Sequence, residues 1–254
     1  MKLAIALAAA VCGLFSSVIA QTEKAMNAKP TIVFVHGLWA DGTSWNKVIT
    51  PLVEDGFEVI SVQNPTTSLD EDVAATNAAL ERAKGDVILV GHSWGGFVIT
   101  ESGVHPKVKG LVYIAAFAPD KGETVPTLSA NAAATQLSDF LKETNGLLTV
   151  SKEGVAKAFA GDLSKSEQEM IYAVQQPASP KVFAGVSQQA AWKTKPSWYV
   201  VASEDKTINP KLEEWMAKRA KSKTTVLDAG HVAMLSKPKE VLAVILDAVK
   251  STAK

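Results

Sequence analysis

Residues 86–96, DVILVGHSWGG, constrain this chain more than any other stretch. The apolar run Val87-Ile88-Leu89-Val90 leads into Gly91-His92-Ser93-Trp94-Gly95-Gly96, and residues 97–104 continue with helical character. A strand that enters G-x-S-x-G and leaves as a helix predicts a nucleophile elbow. So tight a turn forces Ser93 into unfavourable backbone angles and holds its Oγ above the sheet. The flanking positions need small residues, because strand and helix backbones nearly touch there. Without that context the same five residues would be a glycine-rich turn with an inert serine.

The rest of the chain supplies the context. Strands are expected at 31–35, 57–62, 86–90, 108–116, 197–202 and 224–227. Helices are expected at 43–54 (Ser44 as its cap), 69–84, 97–104, 210–220 and 239–250. Alternation of buried strands with helices predicts an α/β fold: a mostly parallel, six-stranded sheet covered by helices on both faces. Ligands of such sheets bind beyond the carboxyl ends of the strands. His36, Ser93, Asp205 and His231 all follow strand ends. Between residues 120 and 194 the rhythm breaks into a stretch rich in Ala, Ser, Gln and Lys. It reads as a helical cap insertion of several short helices over the top of the sheet. The 254 residues therefore divide into a leader and one domain, 31–254, carrying that insertion.

The N-terminus is different in kind. Met1-Lys2 is a positive start, residues 3–15 are an apolar run, and Ser16-Ser17-Val18-Ile19-Ala20 is a small-residue exit. This pattern predicts a secretory signal peptide over 1–20, cut after Ala20, with a flexible lead-in over 21–30. A periplasmic or secreted location follows, with no stable membrane span once the signal is removed. Cleavage would also remove Cys12, the chain's one cysteine. A mature chain without cysteine suits an oxidising compartment. Lys+Arg and Asp+Glu both number 26, so bulk charge gives no attraction to nucleic acid.

A serine hydroxyl is a weak nucleophile and needs a base, usually histidine, itself oriented by an acid. Of the four histidines, His231 in Leu227-Asp228-Ala229-Gly230-His231-Val232 is the best base, because it follows the last strand in a flexible Gly-His loop. His105 precedes Pro106 at a helix end and reads as a cap. His92 lies within the elbow, pointing away from the reacting carbonyl, and His36 reads as a loop-organising residue. Asp205 is the favoured acid, between a strand and a helix. Glu204, Asp120 and Asp228 are the alternatives. The oxyanion needs N–H donors. Trp94, next after the nucleophile, supplies one. Leu38, in the loop His36-Gly37-Leu38-Trp39 after the first strand, supplies the second.

These residues resemble the α/β-hydrolase superfamily, and within it the branch of small plant methyl esterases and hydroxynitrile lyases with their bacterial esterase relatives. The likeness rests on His36-Gly37-Leu38-Trp39, Trp45, Gly91-His92-Ser93-Trp94-Gly95-Gly96, Asp205 and Gly230-His231-Val232-Ala233-Met234. It implies a Ser93–His231–Asp205 triad, an oxyanion hole from Leu38 and Trp94, and neither metal nor organic cofactor. Lyases of this branch carry Thr where this chain has Gly37 and Lys where it has Val232. Val232 cannot stabilise a leaving cyanide, and Gly37 leaves room for an ester carbonyl and water. Both differences favour ester hydrolysis.

The resulting expectation is a serine esterase that cleaves a small or medium carboxylic ester through an acyl-enzyme. Its pocket would be lined by Gly37, Trp39, Phe117, Phe159, Phe183 and Trp192. The competing readings are carbon–carbon cleavage or cofactor-free oxygen chemistry on the same scaffold, and a ligand-binding receptor that has kept a hydrolase shell. A haloalkane dehalogenase is disfavoured, since the elbow offers Ser93 where that chemistry needs a carboxylate.

Overall fold

The computed structural model describes residues 29–253. The expected signal peptide, and all but the last two residues of the lead-in, lie outside the described residues. Eight strands follow in chain order: Thr31–Val35 (β1), Val59–Val62 (β2), Val87–Ser93 (β3), Val108–Ala116 (β4), Leu141–Thr144 (β5), Leu147–Val150 (β6), Ser197–Ala202 (β7) and Lys223–Leu227 (β8). Six form one sheet in the order β2-β1-β3-β4-β7-β8, and every neighbouring pair is parallel.

The central strands explain the sequence pattern. All of β1, β3 and β7 is buried, as is β4 apart from Lys109. They therefore read as near-continuous apolar runs rather than as alternating ones. β8 is an edge strand, and its side chains are half-buried or exposed. Helices Asn46–Glu54 and Pro238–Thr252 pack together on the sheet, and Leu69–Arg82 packs with Trp94–Ser102. Pro210–Arg219 packs against β7.

Element ends differ from expectation where capping decides them. Asp41, not Ser44, opens the first helical segment: its carboxylate accepts from Thr43 N at 2.8 Å. A 3-10 turn, Gly42–Trp45, then precedes the α-helix proper. Ser68 caps Leu69–Arg82, and that helix stops two residues early because Ala83 is extended. The stretch 120–194 is expected to hold several short helices with loops and no strand. It contains helices Val125–Ser129 and Lys165–Val174, but β5 and β6 also form an antiparallel hairpin in it. The hairpin turns at Asn145 and Gly146, both with positive φ (52° and 77°), the backbone that Asn-Gly turns supply. None of the strands in this stretch joins the six-stranded sheet. Among the described residues no helix is long and apolar enough to cross a membrane.

Candidate active site

β3 runs through Gly91-His92-Ser93 and passes directly into helix Trp94–Ser102. Ser93 stands at the junction with φ 54° and ψ −120°, a strained backbone for a residue with a Cβ. The neighbouring backbone leaves no alternative. A Cβ at Gly95 would overlap the carbonyl oxygen of Val35 at the end of β1. Phe117 N, just past β4, donates to the Ser93 carbonyl at 3.1 Å and fixes the far side of the turn.

Asp205 and His231 leave the carboxyl ends of β7 and β8. Backbone bonds continue past the strands, from Ser203 N to Leu227 O (2.9 Å) and from Glu204 N to Ala229 O (3.0 Å). These hold the two loops side by side. Asp205 Oδ1 accepts from Thr207 N (2.6 Å) and Ile208 N (2.9 Å), leaving Oδ2 for His231 Nδ1 at 2.6 Å. Both side chains are fully buried. With Nδ1–H committed to a carboxylate, Nε2 carries the lone pair of a general base. Nε2 is buried and has no protein partner. Among the described residues no hydrogen bond joins it to Ser93 Oγ. Catalytic bonds of this kind are often long in the unliganded state.

Ser93, Leu38, Trp39 and Trp94 line one cavity of about 270 Å³, together with Phe117 and Phe183. Among the described residues, neither the Leu38 N–H nor the Trp94 N–H has a protein acceptor. Both donors are therefore available beside the serine. Gly37 is outside this lining and serves another purpose. A Cβ there would sit 2.7 Å from Ser93 Cβ and 3.0 Å from His92 Nδ1, so the elbow itself occupies the space that glycine provides. Phe159 is also outside the lining but packs on the base, its ring centroid 5.2 Å from that of His231. Trp192 lies elsewhere: its indole donates to Pro119 O (2.7 Å), with Arg219 stacked over its face.

None of the alternative acids is hydrogen-bonded to His231, whose Nδ1 is taken by Asp205, although Glu204 lines a pocket with it. Asp120 pairs with Lys193 at 2.5 Å. Glu204 and Asp228 are exposed.

Four further residues support the site; His92 is already legible within the elbow, whereas Asp162, Asp72 and Glu213 do not stand out in the sequence. His92 is fully buried and its Nε2–H donates to the His231 carbonyl at 2.9 Å. Burial, and then the nearby His231, push its pKa well below the usual histidine value. It is therefore neutral and adds no charge beside the base, although the two rings are only 4.6 Å apart. Asp162 accepts from Gly230 N at 2.7 Å and steadies the loop that carries His231. Asp72 is buried beneath the elbow helix, where it accepts from Trp94 Nε1 (2.7 Å) and Thr66 N (2.7 Å). Burial raises its pKa despite those bonds. Glu213 is buried behind Asp205 and accepts from Ala202 N at 3.0 Å. Burial, reinforced by the Asp205 charge, lifts its pKa far above the usual carboxyl range, so it holds a proton. Polar residues of helix faces carry no sequence mark of such burial. Among the described residues, no group of three or more His, Cys, Asp or Glu is placed to hold a metal ion.

Comparison with known proteins agrees with this architecture. A family model described as "Alpha/beta hydrolase family" matches residues 32–244. A carbendazim-hydrolysing esterase of Nocardioides sp. is 31% identical over 120 residues, covering 42% of this chain and 50% of that protein. This match thus spans half the length of that relative. A pyrethroid hydrolase from Sphingobium faniae superimposes with a TM-score of 0.74 at 22% identity, covering 88% of this chain and 98% of that one. A methylesterase from Arabidopsis does so with a TM-score of 0.72 at 22% identity, covering 87% and 99%.

Proposed function

The chain belongs to the alpha/beta hydrolase family, and on that footing we propose that it is a serine esterase acting on small or medium carboxylic esters. One observation carries the reading: the buried Asp205–His231 pair, its Nε2 free, on the same sheet edge as a strained serine with two unpaired N–H groups beside it. Ser93 Oγ attacks the ester carbonyl while His231 Nε2 takes its proton. Asp205 steadies the resulting imidazolium. The N–H groups of Leu38 and Trp94 receive the oxyanion. Collapse of the tetrahedral intermediate breaks the ester C–O bond, and His231 protonates the departing alkoxide. Water, deprotonated by the same Nε2, then hydrolyses the acyl-serine and frees the acid.

Two further points favour hydrolysis over cyanohydrin cleavage. Val232 is buried and uncharged, so it offers nothing to a leaving cyanide. The carbendazim-hydrolysing relative is itself an esterase. A fluorophosphonate probe tests the proposal. Covalent capture is expected in the wild type, together with hydrolysis of p-nitrophenyl acetate, and both should vanish in Ser93→Ala. Unchanged labelling or turnover in that variant would refute it. Residues 1–20 are proposed as an export signal, with the mature chain beginning near Gln21. N-terminal sequencing of the exported protein checks this, and retention of Met1 there would refute it.

A further inference from the structure

A second apolar cavity, of about 130 Å³, lies on the other side of Trp39. Phe159, Ile171, Val174, Val232 and Leu235 contribute to its walls. Trp39 is the one residue that lines both this cavity and the one containing Ser93. Its ring is a fixed partition. The indole N–H donates to Leu148 O on the β5–β6 hairpin at 3.0 Å, and Phe159 meets the ring edge-on at 6.4 Å. The backbone of Trp39 has φ 56°, which few bulky residues adopt. Helix Lys165–Val174 forms the outer wall, with Met170 and Val174 partly exposed to solvent, and is held where Lys47 Nζ meets Glu167 (2.6 Å) and Leu235 O (2.9 Å).

The position of this compartment identifies what it would receive. The group that leaves an ester must be protonated by His231, so the alcohol half of the substrate lies on the His231 side. Phe159 packs against His231, and Val232 is the next residue in the chain. Both belong to the second compartment. We propose that Trp39 is a specificity-determining partition, closing off an alcohol-side compartment and so restricting the enzyme to esters of short alcohols. This rests on the esterase reading above. The compartment is apolar, so the alcohols it would take when opened are unbranched alkyl or small aryl ones.

Trp39→Ala should join the two cavities. With acyl group fixed as acetyl, the kcat/KM ratio of octyl to ethyl ester should rise about tenfold or more, since each buried methylene is worth about fourfold. With the alcohol fixed and acyl length varied, the profile should not move. Trp39→Phe keeps a ring in place without the Leu148 bond, and should behave as the wild type. Adding Ile171→Trp to Trp39→Ala refills the compartment from the far side and should reverse the gain. Isothermal titration with 1-octanol reads binding without turnover, and Trp39→Ala should bind it about tenfold more tightly than the wild type. A folded Trp39→Ala variant that hydrolyses ethyl acetate but shows an unchanged alcohol profile would overturn the partition alone. A shift in acyl preference instead would overturn the alcohol assignment. Failure of the wild type to hydrolyse any ester would reject the esterase reading, and unchanged 1-octanol binding would then reject the compartment independently.

Discussion

Asp205→Asn should disable the enzyme through geometry alone, leaving the fold in place. Asp205 Oδ1 accepts two backbone N–H bonds, from Thr207 and Ile208, and only an oxygen can occupy that position. The asparagine carbonyl must therefore take it, which turns the NH2 toward His231 Nδ1. Two donors cannot face each other across 2.6 Å. The imidazole must give up its Nδ1 proton and carry it on Nε2, where the base is required. Loss of the correct tautomer in a triad costs roughly 10⁴-fold in kcat, which is about 5.4 kcal/mol of barrier. Stopped-flow release of p-nitrophenol measures the acylation step directly. Because both Oδ1 bonds survive, thermal unfolding should shift by no more than about 4 °C, corresponding to roughly 1 kcal/mol. Near-normal acylation in a folded Asp205→Asn protein would refute the reasoning. It would move the acid to Glu204 or Asp120, which Glu204→Gln and Asp120→Asn would identify.

Gly37→Ala places a Cβ 2.7 Å from Ser93 Cβ, so the loop bearing the Leu38 N–H must retreat. A displacement near 1 Å at a reacting centre costs about 10² in rate, so kcat/KM should fall by that order, and unaltered kinetics would contradict the crowding. Glu213 is neutral in the fold but ionises from about pH 4.5 upward in the unfolded chain. Its contribution to stability is complete below that pH and declines as pH rises toward the raised native value. Relative to Glu213→Gln, wild-type stability in urea should therefore fall as pH rises above about 4.5. Parallel curves for the two proteins would show that Glu213 is ionised in the fold.

The sequence revealed most where one residue type serves one purpose. The G-x-S-x-G turn could be read because two glycines flanking a serine have no comparable use between a buried strand and a helix. β4 and β7 could be read to the residue because strands buried on both faces are apolar almost throughout, Lys109 near the start of β4 being the one charged residue in either. Asp205 and His231, which the structure brings together in a buried pair, could be singled out because their loops follow strand ends. The hairpin in the insertion was not anticipated, although Asn145-Gly146 between Leu141 and Val150 carries the signal for one. Lys142 and Glu143, adjacent and both exposed, masked the alternation. Asp72, Asp162 and Glu213 escaped notice for a different reason, as did the bond from His92 to the His231 carbonyl. Their roles depend on which side chain or loop the tertiary fold brings against them, and local pattern contains none of that. Trp192 shows the reverse case: a large aromatic in the insertion lies outside the cavity that contains Ser93, with its indole bonded to Pro119 O.

All of the strands in the main sheet run the same way, and this divides labour between its two ends. Every loop that bears chemistry departs from one rim, while the turns at the opposite rim carry only connections. Gly56 and Gly85 lie in such turns, and nothing stands within 4 Å of where a side chain there would begin. New chain termini, tags or inserted peptides placed at those turns would leave the reacting atoms undisturbed. The enzyme can thus be re-engineered from beneath without retuning what happens above.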